Sequence, residues 1–414
     1  MNVRFIGVAT LFALSSANSS AADLTESDFF KNSTLNVLNR NFYFDRDFTG
    51  DRATQSERRE WGQGLIATFN SGFTAGTVGL GVDAIGMYGL KLDSSSDRIG
   101  TGLFPNTGSG RPGVDEAQDE YSKGVAALKV KVGKTVLKYG GQMVRNPVFS
   151  NSDTRLLPET SEGLTIASRD VPGLLLEAGH LTSLRNREQT DRASGLLQKA
   201  DFVGGTYDLS KEVNVALYAS SVQNYWDKRF FGLGWSHALD ANQSVKLQFA
   251  GYQTKSIGDE LGGDLDNQVY SLKGTYTYLA HSFTLAGQQV TGRGKYAFGV
   301  DGADTVLLPQ YVQIMDGTRE DERSWQARYD LDFATLGVRG LTFMARYVKG
   351  DNVKVSAAQN NGKEWERDLQ IGYVVQSGPV KGLNTRIRQA TYRSDFTASI
   401  NEVRIITEYP ISIF

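Results

Sequence analysis

The sequence predicts an all-β chain that forms a single transmembrane antiparallel β-barrel of about 18 strands, with short periplasmic turns and long extracellular loops. Three observations predict this fold class. Apolar and polar residues alternate with a period of two through most of the chain. Short connections strictly interleave with mostly long, polar ones, as in outer-membrane barrels. Glycine and aromatic residues are abundant, with 45 Gly, 21 Phe and 18 Tyr against 8 Pro, which is typical of closely packed strands with aromatic belts.

The first 22 residues have the pattern of a secretory signal peptide. Arg4 supplies the positive region, Phe5 to Leu14 form the apolar segment, and Ser20 to Ala22 are small residues before a cleavage site. The apolar stretch of about ten residues is too short to cross a bilayer as a helix. We therefore expect residues 1–22 to be a signal peptide and residues 23–414 to form one barrel domain.

The alternation predicts where the strands lie. For example, Val245, Leu247 and Phe249 alternate with Lys246 and Gln248, whereas no segment has a convincing 3.6-residue stripe. The predicted strands lie near 33–44, 59–71, 75–92, 120–132, 134–144, 161–168, 173–183, 196–208, 212–223, 227–238, 243–256, 266–279, 282–291, 323–333, 339–349, 365–376, 382–394 and 400–413. A tilted strand of about 11 residues rises roughly 25 Å, the height of the apolar band of such barrels.

The lengths of the connections favour a barrel over a soluble fold. The short connections predicted are 131–134, 170–173, 208–212, 279–282 and 377–382. The long ones are 45–58, 93–119, 145–160, 184–195, 292–322 and 350–364. A secreted β-sandwich or β-helix is the alternative, but a sandwich has no reason to alternate short and long connections, and no sequence repeat of about 20–50 residues is visible.

Composition excludes several classes of function. The net charge of −2 makes nucleic acid an improbable partner, and the chain has no cysteine. His180, His237 and His281 are too few and too scattered to predict a metal centre, so we expect neither a metal nor a cofactor. The mean hydropathy of −0.33 is that of a soluble protein, but barrels average lipid-facing and lumen-facing residues in this value.

Two loops are predicted to fold into the lumen, because an eighteen-stranded barrel is otherwise wide enough to leave an open channel. They are 145–160 and 292–322, which combine apolar residues with proline. The residues expected to pack on the inner wall are Val148, Phe149, Leu156 and Leu157 in the first loop and Leu307, Leu308 and Pro309 in the second. Arg155 is then expected to face water in the lumen.

Arginines within the strands are expected to face the lumen. Arg386 and Arg388 share one face of a strand, as do Arg40 and Arg46 around the end of the first strand. A charge on the lipid side of a barrel costs roughly 2–4 kcal/mol near the bilayer midplane. A row of lumenal guanidiniums attracts carboxylates with roughly 1–4 kcal/mol per contact, weakly enough to release them again. For each arginine the alternative is a structural ion pair with Asp or Glu.

Three segments resemble the OprD-type substrate-specific porins of Gram-negative outer membranes. They are Leu38-Asn39-Arg40-Asn41-Phe42-Tyr43-Phe44, Asp153-Thr154-Arg155-Leu156-Leu157-Pro158-Glu159-Thr160 and Glu408-Tyr409-Pro410-Ile411-Ser412-Ile413-Phe414. The resemblance covers the whole chain after the signal peptide. It implies a pore that the third and seventh loops narrow, with a ladder of basic residues that guides the carboxylate of a substrate.

The resemblance also implies roles for single residues. Arg155 resembles the loop arginine of the ladder, Arg386 and Arg388 its late-strand pair, and Arg40 and Arg46 its early members. The family places an acidic residue of the seventh loop opposite the ladder. Here the candidate is Asp316, and Asp301 and Asp304 are competing choices.

The resemblance implies a channel for passive uptake of small carboxylate-containing solutes. The length of the chain is closer to the shorter branch of the family, which favours aromatic or cyclic acids such as benzoate. The alternatives are a channel for basic amino acids or short peptides, an outer-membrane barrel enzyme, for which no G-x-S-x-G motif is present, and a closed structural barrel. The expected partners are carboxylate solutes, outer-membrane lipid and the barrel-assembly machinery, which recognises the C-terminal strand.

Overall fold

The computed structural model of the protein describes residues 28–302 and 306–414. The predicted signal peptide at 1–22 and Asp304 lie outside the described residues. Eighteen strands pair antiparallel with their neighbours in the chain. The first, β1 (Thr34–Thr49), also pairs with the last, β20 (Ser399–Ser412), which closes the sheet into a barrel. The predicted fold class is therefore confirmed.

The bounds of the elements agree with the predicted strands to within a few residues. The remaining barrel strands are β2 Glu57–Asn70, β3 Val78–Asp93, β4 Glu120–Val132, β5 Thr135–Gln142, β8 Thr160–Ser168, β9 Leu174–Arg185, β10 Ala200–Asp208, β11 Val213–Val222, β12 Trp226–Ala238, β13 Gln243–Ser256, β14 Asp266–Tyr278, β15 His281–Arg293, β16 Arg323–Asp332, β17 Leu341–Val353, β18 Gly362–Val374 and β19 Asn384–Ser394. A small hairpin of β6 (Arg145–Asn146) and β7 (Phe149–Ser150) lies in the third loop and was not predicted.

Helical structure is confined to short segments. Helix α1 (Asp28–Lys31) precedes β1, and single 3-10 turns occupy Ser96–Arg98 and Phe333–Leu336. Among the described residues, no helix is both long enough and apolar enough to cross a membrane.

The two faces of each strand differ as the alternation predicts. In β15, Leu285 is exposed on the outer face, whereas its neighbours Thr284 and Ala286 are buried on the inner one. In β11, Leu217 is exposed outside and Tyr218 is buried inside. The apolar residues on the outer face therefore cover the barrel with a surface that suits lipid.

Aromatic residues form belts at both ends of this apolar surface. Near the extracellular ends of the strands, Trp325, Tyr347 and Trp365 lie in a row, with ring centroids 5.6 and 5.8 Å apart. Tyr276 and Tyr373 are exposed near the periplasmic ends. Such belts mark the interfaces of a membrane with water, where an aromatic ring contacts both phases.

The longest connections all lie on one side of the barrel as predicted, but that side also has two short ones, 223–225 and 395–398, so length does not alternate strictly. The extracellular loops are 50–56, 94–119, 143–159, 186–199, 223–225, 257–265, 294–322, 354–361 and 395–398, numbered one to nine below. The first loop is shorter than the predicted 45–58, because β1 continues to Thr49. At this end of the strands, Asp45 and Asp47 of β1 lie opposite Arg59 and Glu57 of β2 in the backbone register, and all four are on the outer face. The paired strands therefore extend beyond the apolar band.

Candidate functional site

The third loop packs against the inner wall of the barrel. Leu156 and Leu157 have no exposed surface and lie in one apolar cluster with Phe42 and Phe44 of β1 and Phe104 of the second loop. Phe42 and Phe44 face the lumen because they have the same parity as the buried Arg40 on the same strand. The hydrophobic contacts predicted for these two leucines therefore exist, and they bring the preceding Arg155 into the lumen.

Two glycines of β2 make room for this loop. A Cβ atom on Gly62 would lie 2.6 Å from Phe104 Cζ and 2.8 Å from Leu156 Cδ2. A Cβ atom on Gly64 would lie 3.0 Å from the carbonyl oxygen of Leu156. Since ordinary carbon contacts are about 3.5–4.0 Å, only glycine lets the loop approach the strand so closely.

The other end of the third loop packs on the opposite wall. Val148 is buried against a cluster that includes Leu181 and Phe202, and its carbonyl oxygen accepts a hydrogen bond from Ser220 Oγ at 3.2 Å. Phe149 stacks with Phe202 at a centroid distance of 6.4 Å. The loop thus crosses the lumen from β9–β11 to β1–β2 and narrows it.

Arg40 fastens the third loop to the seam between β1 and β20. Its Nη1 donates to Asp153 Oδ1 and to the carbonyl oxygen of Arg155, both at 2.8 Å, and its Nε donates to Glu408 Oε1 at 2.8 Å. Because its donors are bound within the protein, Arg40 is a structural residue at the wall of the site.

The seventh loop is held by carboxylates on the opposite side of the same seam. Glu366 of β18 accepts hydrogen bonds from the amides of Ile314, at 3.1 Å, and Met315, at 2.5 Å. Gln313 donates to Glu402 at 2.9 Å, and Arg404 Nη2 donates to the carbonyl oxygen of Gln313 at 3.1 Å. The loop therefore contacts the barrel wall through buried acids that sequence analysis did not assign.

The packing predicted for this loop is correct for Leu308 and wrong for Leu307. Val306 and Leu308 are buried against the wall, whereas Leu307 is 57% exposed. The side chain of Leu307 is therefore not covered by the wall, although it lies between two residues that are. Pro309, also predicted to pack there, is half-buried.

A cavity of about 420 Å³ lies between the third loop, the seventh loop and the β1–β20–β19 wall. All six residues predicted for the substrate pathway line it: Arg40, Arg46, Arg155, Arg386, Arg388 and Asp316. Two further arginines, Arg187 of the fourth loop and Arg404 of β20, also line it and were missed. The sequence could have indicated Arg404, because it lies on the same face of the last strand as Glu402 and Glu408. Nothing in the sequence singled out Arg187.

The strand arginines form successive rows along the lumen. In register, Arg40 pairs with Glu408, and Arg46 pairs with Glu402. Arg388 pairs with Arg404 on the neighbouring strand. Rows on one face are two residues apart, or about 6.6 Å along a strand. From Arg40 to Arg46 the rows therefore extend about 20 Å along β1.

Some of these guanidiniums are neutralised by lumenal acids. Arg46 and Arg404 share Glu402, each at 2.5 Å, and Arg386 contacts Glu408 at 2.6 Å. Since Glu408 also binds Arg40, the acids of β20 hold four arginines in place. These four are therefore rigid, and their charge is partly cancelled.

Three guanidiniums at the cavity have no ion pair with any carboxylate of residues 28–302 and 306–414: Arg155, Arg187 and Arg388. Arg155 Nε donates to the carbonyl oxygen of Thr101 at 2.8 Å, and its guanidinium lies 5.3 Å from the centre of the Phe44 ring. Burial, assisted by Arg404 and Arg187, lowers the pKa of Arg155. Arg388 Nε is buried without a hydrogen-bond acceptor. These groups leave a net positive field in the cavity.

The wall of β4 positions Arg187. Lys123 Nζ donates to the carbonyl oxygens of Asn186 and Arg187, both at 2.8 Å, and Tyr121 Oη donates to that of Arg187 at 3.4 Å. The side chain reaches Thr154 Oγ1 at 3.5 Å. The fourth loop thus enters the lumen beside the third and contributes its own cation.

Asp316 supplies a carboxylate on the seventh-loop side of the cavity. Its carboxylate has no ion pair with the described part of the chain, and burial together with Glu364 raises its pKa to about 7. Of the competing choices, Asp301 does not line the cavity, and Asp304 lies outside the described residues. Of the three seventh-loop candidates, Asp316 is therefore the one that the structure places in the lining of the cavity.

The three histidines are on the outer face of the barrel. His180 contacts Asp201 at 2.6 Å, His237 contacts Glu212 at 2.8 Å and His281 contacts Tyr329 at 2.8 Å. On its strand, each histidine alternates with the side chains that face the lumen. In the described part of the chain, no histidine can therefore act with a lumenal serine.

One carboxylate cluster also lies outside the lumen. Asp45, Asp47 and Glu57 place carboxylate oxygens within 4.8 Å of one another on the outer face. Arg59 and Arg98 neutralise Glu57 at 3.0 and 2.9 Å. This cluster is separate from the cavity.

Known proteins share both the sequence and this architecture. The family model described as outer membrane porin, OprD family, matches residues 27–413. Porin D of Pseudomonas aeruginosa is 37% identical, over 99% of each chain. The crystal structure of OccK9 (OpdG) from P. aeruginosa superposes with a TM-score of 0.87 at 34% identity, over 93% of this chain and 100% of that one. The structure of OpdK from P. aeruginosa with vanillate superposes with a TM-score of 0.82 at 31% identity, over 93% and 100%. The chain therefore belongs to the OprD family of porins and is a channel protein of the bacterial outer membrane.

Proposed function

We propose that the protein is a substrate-specific channel for passive uptake of small carboxylate-containing solutes. The observation that carries this proposal is that Arg155, Arg187 and Arg388, which have no carboxylate partner in the described residues, line one cavity of about 420 Å³. Guanidiniums bind carboxylates with two parallel hydrogen bonds, so free ones select this group over a halide.

The strength of binding suits a channel. A guanidinium and a carboxylate 4 Å apart attract each other by roughly 1–4 kcal/mol in the lumen of a pore. That is sufficient to enrich the solute at the cavity and small enough for release. Arg386 and Arg388 lie in neighbouring rows on one face of β19, so they give successive positions for the carboxylate along the lumen.

An aromatic or cyclic acid such as benzoate suits the remaining lining. Phe42, Phe298 and Ile406 contribute apolar surface beside the guanidiniums. Such surface favours a solute whose hydrocarbon part is a ring. The related OpdK was crystallised with vanillate, an aromatic acid, and this supports the same class of solute for the present chain.

The test is single-channel recording of refolded protein in planar bilayers. Benzoate should interrupt the current of the wild-type channel, and the triple variant Arg155→Gln, Arg187→Gln, Arg388→Gln should remove most of the interruptions. The control variant is Arg229→Gln, Arg323→Gln, Arg367→Gln, which removes the same charge from the outer face. Interruptions that persist in the first variant, or that vanish equally in both, would contradict the proposal.

A second candidate is a channel for basic amino acids or short peptides. The observation that favours it is Asp316, which faces the arginines without an ion-pair partner in the described residues. A solute with a carboxylate and a cationic group can contact both sides of the cavity. Arginine in place of benzoate distinguishes the two candidates, because only this second channel loses its response on Asp316→Asn.

A further inference from the structure

A second cavity lies on the wall opposite the arginines. Its volume is about 270 Å³, and it is enclosed by β11–β14 and by the seventh-loop segment 306–309. In the order of the barrel, these strands are the ninth to twelfth, whereas the arginine cavity lies at the first, seventeenth and eighteenth. Its lining has polar and apolar parts, which are Asn214, Gln248 and Lys273 on one side and Phe230, Leu307 and Leu308 on the other.

Lys273 places a cation in the lining of this cavity. It lies on the inner face of β14, in register with Gln248 of β13, and its side chain is half-buried. No carboxylate of the described residues forms an ion pair with it. Arg328, which also faces the lumen, is already bound to Asp330 at 2.6 Å. The charge of Arg328 is therefore compensated, whereas that of Lys273 has no carboxylate partner among the described residues.

Leu307 is an apolar side chain that is held exposed next to this cation. Its amide donates to Tyr252 Oη at 3.2 Å, and the carbonyl oxygen of Pro309 accepts from Gln326 Nε2 at 2.5 Å. The backbone is thus fastened on both sides of the side chain, with Leu308 buried on the wall. An exposed leucine that the backbone holds in the lumen offers apolar surface that a solute's hydrocarbon part would remove from water.

We propose that this cavity is a second binding subsite for apolar carboxylic acids. Lys273 binds the carboxylate, the amides of Gln248 and Asn214 donate hydrogen bonds to it, and Leu307 and Phe230 contact the hydrocarbon part. The inference rests on the proposed function, and it adds selection for the apolar part of the solute. Ligand pockets usually have about 300–1,000 Å³, so this smaller cavity suits an acid with one ring or a short chain.

The experiment compares benzoate and acetate in single-channel recordings of four variants. Lys273→Gln removes the cation, and Lys246→Gln is its matched control. Lys246 faces the lumen from β13, one row nearer the periplasm, and does not line the cavity. Leu307→Ser removes the apolar contact, and Arg388→Gln weakens the arginine cavity. Heat-modifiable migration on gels checks that each variant is folded.

Lys273→Gln should reduce benzoate affinity about tenfold, as expected for one lost hydrogen bond to a charged group, and Lys246→Gln should leave it unchanged. Leu307→Ser should reduce the affinity for benzoate and not that for acetate. If both lysine variants behave alike while Arg388→Gln reduces benzoate affinity, the second subsite is wrong and the proposed function stands. If Arg388→Gln also has no effect, the proposed function fails with it.

Discussion

Arg388 and Arg404 lie opposite each other in register on β19 and β20, and among the described residues only Arg404 has a carboxylate partner. Glu402 holds Arg404 at 2.5 Å, whereas Arg388 Nε is buried without an acceptor. Two like charges at the same level of the lumen repel each other unless a counter-ion is near. A solute carboxylate would provide the missing counter-ion, so under the proposed function Arg404 is a structural arginine and Arg388 a binding one.

Arg388→Gln should lower the affinity of the channel for anions and leave the barrel stable. The lost attraction is about 1 kcal/mol, or roughly fivefold, if the site is well hydrated. Arg404→Gln should instead destabilise the barrel by about 1–3 kcal/mol, because it removes a bound donor from the buried Glu402. Reversal potentials in a salt gradient measure the first effect, and denaturant unfolding measures the second. If Arg388→Gln destabilised the barrel and Arg404→Gln lowered the anion affinity instead, Arg388 would be the structural arginine and Arg404 the binding one.

Arg40→Met should release the third loop. The substitution leaves Asp153 and Glu408 without their common partner, and loss of one partner of a buried pair costs about 3–5 kcal/mol. We expect a lower unfolding midpoint and a larger, noisier single-channel conductance. Asp153→Asn is the milder comparison, because it keeps the Arg40–Glu408 contact at 2.8 Å. A quiet channel of unchanged conductance in Arg40→Met would mean that the leucines alone hold the loop.

Gly62→Ala should destabilise the protein by about 1–3 kcal/mol, the usual cost of an extra methyl group in a packed site. The new Cβ would lie 2.6 Å from Phe104 Cζ. Gly86→Ala is the control, because a Cβ there meets no atom within 4 Å. Phe104→Leu in the Gly62→Ala background removes Cζ and should restore part of the loss. Equal stability of the two glycine variants would mean that the close approach of the loop to β2 does not require a glycine at position 62.

Cation selectivity should rise with pH through about 7, because burial and Glu364 raise the pKa of Asp316 to that value. Below this pH the carboxyl is mainly protonated and neutral, and above it the cavity gains a negative charge. The folded state binds this proton more tightly than the unfolded chain, whose ordinary pKa is 3.8. The contribution of Asp316 to stability therefore falls as pH rises from 3.8 to about 7.

The measurement is the ratio of cation to anion permeability between pH 5 and 9, which covers about two pH units on either side of the expected pKa of Asp316. In Asp316→Asn the ratio should stay at its low-pH value throughout. A pH dependence that survives this substitution would assign the titration to another group.

The strands could be predicted from the sequence because a barrel wall is a local pattern. The alternation in β13 arises because every second side chain faces lipid, and this pattern is visible in the sequence without knowledge of distant contacts. The β6–β7 hairpin at Arg145–Asn146 and Phe149–Ser150 has only two residues in each strand. Such short strands give no period, so the sequence cannot reveal them.

The site could be predicted in part. Parity alone places Arg386 and Arg388 in the lumen, but it does not reveal that Glu408 binds the first and that the second has no carboxylate partner among the described residues. Ion pairing depends on how the loops fold back and on which strands are neighbours across the seam. Arg187 was missed for the same reason, because its place in the lumen depends on Lys123, which is 64 residues away in the chain.

The pairing of β1 with β20 has a consequence for biogenesis. Arg40 and Arg46 come from the first strand, whereas their partners Glu408 and Glu402 come from the last. The anchoring of the third loop and the rows of guanidiniums are therefore incomplete until the C-terminal strand is inserted. A barrel that is still open at this seam therefore lacks the paired arginines, and under the proposed function its selectivity would be acquired in the same step as closure.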